Sequence, residues 1–354
     1  MTHPVLTRIA AEHDRPGPVV MGIVNVTPDS FSDGGRWIET DAAIAHGRSL
    51  VAAGASVVDV GGESTRPGAE RPSEDEELRR VVPVVRALSV EGIAVSVDTM
   101  RASVAAASLE AGAAIINDVS GGLADPQMPH LVAASGAPFV VMHWRGHAHD
   151  MQSRAHYADV VAEVCTELTA RVEALCAVGA TTEQLVLDPG IGFAKTAEHN
   201  WRLLAGLEHV VDLGHPVLLG TSRKGFLGSV GREEGHERPL DGRAVATAVT
   251  SARAARAGVW CVRVHDVTAT VDAIDVTTAL GEVGSLRDGR FATSSGIGEG
   301  IYPRSRNITC SPTGPCSGWS KAPGTVPMTS KPSERHSLTA RSLVSTTALN
   351  WMPA

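Results

Sequence analysis

Eight short apolar runs in this sequence each close on polar side chains, and those side chains are where chemistry would be found. The runs VVMGIVNV, SVVDVGGE, IAVSVDT, AAIINDVSG, PFVVMHW, LVLDPG, PVLLGTS and WCVRVHDV end at Asn25, Asp59, Asp98, Asn117 with Asp118, His143, Asp188, Ser222 with Arg223 and Lys224, and Arg263 with His265. Asp98, Asn117 and Asp188 offer carboxylates and an amide, which suit a planar heterocycle with adjacent N–H groups because a carboxylate accepts two parallel donors. Arg66, Arg223, Lys224, Arg263 and His265 offer cations and N–H donors for phosphate or carboxylate oxygens. A ligand with a heterocyclic head and an anionic tail fits both sets.

Taken singly, several of these residues have a purely structural use. Asp188 precedes Pro189 and Gly190, a turn sequence. Asp98 before Thr99 and Asn117 before Asp118 are also side chains that cap helices or close turns. Their recurrence at the same relative place in eight units favours function, since caps alone do not require such variety of charge.

Other patterns carry less. Gly296, Gly298 and Gly300 mimic a fragment of a dinucleotide loop but follow no strand. GTSRKGF lacks Walker spacing, and no GxSxG nucleophile turn occurs. His143, His147, His149 and His156 cluster without a carboxylate at HExxH spacing. Cys165, Cys176 and Cys261 fall in apolar periodic segments and read as core residues.

The elements that must position the polar ends follow from periodicity. Between the runs lie Ala-rich amphipathic segments at about 40–53, 74–90, 101–111, 126–135, 155–178, 197–208, 241–257 and 267–280. Near-continuous apolar strands alternating with helices imply parallel strands buried on both faces. Eight units predict an α/β fold, a (β/α)8 TIM barrel over 17–284, with an open doubly wound sheet as the alternative. In a barrel all eight C-terminal strand ends share one rim, so the polar residues would meet at a single mouth. Residues 1–16 read as a lead-in. From 285 to 354 about half the residues are Ser, Thr, Pro or Gly and basic residues outnumber acidic ones eight to three, which predicts a disordered tail.

Composition sets outer bounds. The chain is 43% hydrophobic with 36 Gly, so it has a core to bury. A net charge of −8 argues against nucleic acid or an anionic membrane as partner. No stretch approaches the ~18 consecutive apolar residues of a membrane span, and the first residues lack a secretory h-region, which points to the cytoplasm.

The motifs MGIVNVTPDSFSDGG (21–35), VDVGGESTRPGA (58–69), SVDTMR (96–101), NDVSGG (117–122), MHWRG (142–146), LDPGIGFAKT (187–196), TSRKGF (221–226) and VRVHDV (262–267) together resemble the dihydropteroate synthases, the sulfonamide targets of folate biosynthesis. The resemblance covers nearly all of 17–284. It implies a transferase that condenses 6-hydroxymethyl-7,8-dihydropterin diphosphate with 4-aminobenzoate to 7,8-dihydropteroate and diphosphate, with Mg²⁺ as cofactor. It places the pterin against Asp98, Asn117, Met142, Asp188, Lys224 and Arg263. Asn25, Arg263 and His265 would hold the diphosphate, with the metal near Asn25. Thr65, Arg66, Pro67, Phe193, Ser222 and Lys224 would form the aminobenzoate pocket, and Asp98, Lys224, Arg263 and Asn25 would carry the reaction. The loops 25–35 and 61–69 would be lids, sulfonamides would compete, and the protein would form a homodimer. Two further readings stand beside this one: a non-synthase paralogue that binds pterin or a partner without catalysis, and a pterin-binding methyltransferase on the same barrel.

Overall fold

The architecture is given by a computed structural model that describes residues 2–26, 36–63, 71–146, 151–233 and 235–287. The chain divides into two units, Met1–Thr293 and Ser294–Ala354. The expected tail lies outside the described residues from 288 onward, while 285–287 extend the last helix.

Among the described residues there are eight strands: β1 (Val19–Asn25), β2 (Val57–Gly61), β3 (Val95–Asp98), β4 (Ile115–Asp118), β5 (Phe139–Met142), β6 (Leu185–Asp188), β7 (Leu218–Leu219) and β8 (Cys261–Val264). They pair in parallel in the order β6-β5-β4-β3-β2-β1-β8-β7. The two ends of that order meet where Leu187 bridges Val217 and the Leu187 amide donates to the Pro216 carbonyl at 2.8 Å. The sheet is thus a nearly closed (β/α)8 barrel. A doubly wound sheet would reverse its order at a switch point, and this one runs sequentially around the ring.

The helices are α1 (Pro4–Glu12), α2 (Arg36–Ala52), α3 (Glu74–Val90), α4 (Ala102–Glu110), α5 (Met128–Ser135), α6 (Val160–Ala177), α7 (Ala197–Ala205), α8 (Leu207–Val211), α9 (Gly225–Ser229), α10 (Ala244–Arg256) and α11 (Val267–Arg287). Local chemistry sets their starts. Ser73 accepts from the Glu76 amide ahead of four acidic residues in the first turn of α3, and Asp159 accepts from Val161 and Ala162 at the start of α6. That cap places the start of α6 five residues later than the expected 155. The segment expected as one helix over 197–208 is split at Gly206, where a Cβ would press on the Val161 side chain at 3.2 Å.

Side chains alternate along each strand, and the two phases separate into two cores. Val20, Val24, Val58, Val60, Val95, Val97, Ile116, Phe139, Val141, Leu185, Leu187, Leu219 and Val262 pack outward against the helices. Val19, Met21, Val57, Ile115, Val140, Val186, Leu218 and Cys261 fill the barrel interior at the N-terminal half of the strands. Leu6 and Ile9 of α1 are buried in that same inner cluster. The segment expected as a lead-in therefore supplies a helix that closes the N-terminal end of the barrel, leaving the C-terminal end as the open one. No helix among the described residues is long and apolar enough to cross a membrane.

Candidate active site

The inner phase, continued toward the C-terminal ends, runs through Asn25, Asp59, Asp98, Asn117, Met142, Asp188 and Arg263. Register aligns them laterally: Asp98 is the partner of Asn117, and Met142 of Asp188. Two of the residues expected at strand ends do not join them. Asp118 has the opposite phase and accepts from Ser120 and the Gly122 amide, so it closes the turn after β4. His143, one residue past β5, turns toward Glu167 on α6, with Nε2 2.9 Å from Oε2. A period of two separates these residues from the mouth although they follow Asn117 and Met142 directly.

At the base of the mouth Arg263 joins three strands. Its Nε donates to Asp59 Oδ2 at 2.6 Å and its Nη2 donates to Asp98 Oδ2 at 2.6 Å, while Asn117 Nδ2 donates to the same Asp59 oxygen at 3.0 Å. Burial opposes the charge on Arg263, but Asp59 and Asp98 raise its pKa above the ordinary value. Burial lifts the Asp98 carboxyl to about 7, against the downward pull of Arg263 and with Asp59 adding a like charge. The arrangement is a cation held between acids in a dry setting, where charge interactions are strong.

Across the mouth, Asp188 Oδ1 accepts from the Gly190 amide at 2.7 Å. Burial raises its pKa and Lys224 opposes the rise. Lys224 Nζ donates to the Ile191 carbonyl and lies 4.4 Å from the centre of the Phe193 ring, a cation–π contact. Burial lowers the Lys224 pKa to about 8, while Asp188 acts to raise it. Ser222 Oγ is 2.9 Å from His265 Nδ1 and accepts from the His265 amide at 3.1 Å. Among the described residues the non-glycine positions with positive φ are Ala194 (48°) and Arg223 (59°), one in each of these two loops. Such backbone persists only where neighbours over-determine it. Here the Arg223 amide donates to Thr247 Oγ1, and Arg243 donates to the Arg223 carbonyl.

Thr65, Arg66 and Pro67, His147, His149 and most of both expected lids lie outside the described residues. The flanks of the second loop are fastened: Arg71 Nε donates to Glu63 at 2.7 Å, and Arg101 donates to the Pro72 carbonyl at 2.7 Å and to the buried Glu77. Asp59 was visible in the sequence as a strand end without a role, although it shares the inner phase of Asp98. Lys195 carried no signal beyond its place in the LDPGIGFAKT motif.

Comparison with known proteins agrees with this geometry. The family model described as pterin binding enzyme matches residues 21–265. The dihydropteroate synthase of Mycobacterium leprae is 55% identical over 262 residues, covering 73% of this chain and 92% of that protein. A solved Xanthomonas albilineans dihydropteroate synthase with 4-aminobenzoic acid is 45% identical, covers 76% of this chain and 94% of its own, and superposes with a TM-score of 0.69. Another from the same organism, in complex with 7,8-dihydropteroate, is 42% identical with a TM-score of 0.66 and covers the same shares of both chains. The chain belongs to the pterin-binding enzyme family and, within it, to the dihydropteroate synthases.

Proposed function

We propose that the mouth joins the exocyclic carbon of 6-hydroxymethyl-7,8-dihydropterin diphosphate to the amine of 4-aminobenzoate, forming 7,8-dihydropteroate in folate biosynthesis. The observation that carries this reading is the set of acceptors Asp98, Asn117 and Asp188 on inner positions around Arg263 and Lys224. A dihydropterin presents N–H donors that match the acids, and in this reading its rings lie against Met142 and Arg263. The carbon–oxygen bond to diphosphate breaks with the electron pair leaving on oxygen. The amine then forms the carbon–nitrogen bond and releases a proton. Asp98 as a carboxylate stabilises the positive charge that develops on the pterin carbon. An arylamine needs no strong base, so attack on the pterin carbon asks for no activated nucleophile from the chain.

Arg263 engages Asp59 and Asp98 with two of its five N–H groups, and the others, with Asn25 and His265, serve the diphosphate in this reading. Phe193, Ser222 and Lys224 form the aminobenzoate wall and carboxylate anchor, together with Thr65, Arg66 and Pro67. The solved relatives that hold 4-aminobenzoic acid and 7,8-dihydropteroate support the substrate assignment. Sulfonamides, as analogues of the aminobenzoate, would compete at the same wall.

A metal fits in one manner. Among the described residues no three His, Cys, Asp or Glu side chains form a cluster able to cage an ion. Asn25, at the C-terminal end of β1, offers a single neutral oxygen. That suits Mg²⁺, which keeps waters and substrate phosphates as its main ligands. Bound there it would supply charge neutralisation of the departing diphosphate. A homodimer is supported by Val245 and Val249 on α10 and Val276 and Leu280 on α11, apolar i, i+4 pairs exposed by 61 to 75% on two helices that pack together. The acidic net charge and the lack of a described spanning helix support a small-molecule enzyme of the cytoplasm.

Rescue of a synthase-deficient bacterial strain, with turnover of the two substrates by purified protein, tests the reading. Pterin binding without rescue or turnover would establish the non-synthase alternative instead.

A further inference from the structure

The reaction as described makes no use of Lys195, a lysine only 3% exposed in the loop after β6. Its Nζ is 3.0 Å from His143 Nδ1, 3.1 Å from the Gly190 carbonyl and 3.1 Å from the Phe193 carbonyl. Three acceptors match the three N–H groups of an ammonium, whereas a neutral amine has one donor too few. Since lysine only donates here, His143 Nδ1 accepts. The imidazole proton therefore sits on Nε2, where it donates to Glu167. Burial pushes the His143 pKa down to about 4, so this ring is neutral near pH 7.

The charge on Lys195 has no carboxylate within salt-bridge distance among the described residues. Glu167 is paired with Arg145, which also binds Glu163. The charged or titratable groups facing Lys195 are Asp188, Lys224, Arg145, Glu167, neutral His143 and the Tyr157 ring at 5.9 Å. Asp188 is the acid among them that no arginine pairs, and it is reached through one residue: Gly190 donates its amide to Asp188 and its carbonyl accepts from Lys195. Gly190 has φ +65°, and a Cβ there would overlap the His143 carbonyl oxygen, so the turn is packed directly on the end of β5. On the far side the Tyr157 hydroxyl donates to the Ala194 carbonyl at 3.1 Å.

We infer that Lys195 is a positioning residue for both substrates. Its ammonium locks the turn from Asp188 to Phe193 onto the end of β5 and keeps Asp188 a carboxylate, ready to accept from the pterin. The inference rests on the proposed pterin role of Asp188. Burial raises the Asp188 pKa, and Lys195 is one of the cations that oppose the rise. Burial also brings Lys195 to about 7, so its charge is present below that pH and lost above it.

The test is calorimetry of a pterin analogue with the full chain at pH 6 and pH 8.5. Lys195→Met should weaken binding about ten-fold at pH 6, where the ammonium is present to hold the turn and to favour the Asp188 carboxylate. At pH 8.5 the loss should shrink to about two-fold, because Lys195 has itself given up its proton in the parent protein. The KM for aminobenzoate should rise through displacement of Phe193. Lys195→Gln, which keeps donors without charge, should show the same pH dependence and serves if the Met variant does not fold. A loss equal at both pH values, or no loss at either, would overturn the inference. Asp188→Asn run alongside separates the two readings: unchanged affinity in that variant would mean the pterin assignment of Asp188 has failed, whatever Lys195 does.

Discussion

Asp59 Oδ2 accepts from Arg263 Nε at 2.6 Å and from Asn117 Nδ2 at 3.0 Å, so a single buried carboxylate orients both the cation and the amide of the mouth. Asp59→Ala would leave a buried guanidinium with half its anchoring and the amide with one bond fewer. Breaking a buried pair from one side costs about 3–5 kcal/mol. We expect the denaturation midpoint to fall accordingly and kcat/KM for the pterin substrate to drop by about 100-fold. Asp59→Asn, which retains an acceptor for Nε, should recover part of both.

The Asp98 carboxyl, lifted to about 7 by burial, makes activity pH-dependent. Only its anion stabilises the pterin cation, so kcat/KM should rise as pH passes through about 7 and level off above. The stability sign is opposite. The folded pKa lies above the unfolded value of about 3.9, so the folded state binds the extra proton and this group subtracts stability as pH rises from about 4 to about 7. Asp98→Asn should abolish the rise in activity and remove that slope from the stability profile. A pH profile in Asp98→Asn with the wild-type limb intact would assign the limb to another group.

Asp188→Asn replaces an acceptor oxygen by an amide donor and sets donor against donor at the pterin edge. The expected loss of affinity is about 2–4 kcal/mol, or roughly 30- to 1,000-fold. Calorimetry with a pterin analogue reads it directly, and an unchanged affinity would leave Asp188 as the acceptor for Gly190 alone.

Binding should be ordered if the loops after β1 and β2 complete the aminobenzoate pocket. Aminobenzoate is expected to bind weakly to the free protein and tightly once Mg²⁺, diphosphate and a pterin are supplied. Arg263→Ala should remove both activity and that dependence. Equal aminobenzoate affinity with and without the other ligands would exclude the ordered scheme.

Leu6 and Ile9 close the N-terminal end of the barrel, so Leu6→Ala should cost about 2–5 kcal/mol although it lies far from the mouth. Denaturant titration should show a lower midpoint with an unchanged slope. Turnover below the melting range should be retained, since the change affects the end opposite the site.

Much of this protein was legible in its residues. Alternating apolar runs with polar ends and the Ala-rich segments between them specified eight strand–helix units, because hydrophobic period is a local property of the chain. The motifs around Asp98, Asn117, Asp188, Lys224 and Arg263 marked the candidate site for the same reason: each lies in the C-terminal half of a strand or in the loop that follows it. Tertiary structure alone decided which side chains meet. Asp59 and Arg263 are 204 positions apart, and they touch because barrel closure sets β8 beside β1 and leaves Asp59 and Arg263 on the inner phase. Asp118 and His143 follow inner residues in sequence yet turn outward, since one step along a strand reverses the face. The joining of Lys195 to His143 across 52 positions, and the burial of α1 within the strand core, depend on the cost of leaving a charge or an apolar face unmatched. That cost is settled by packing in three dimensions.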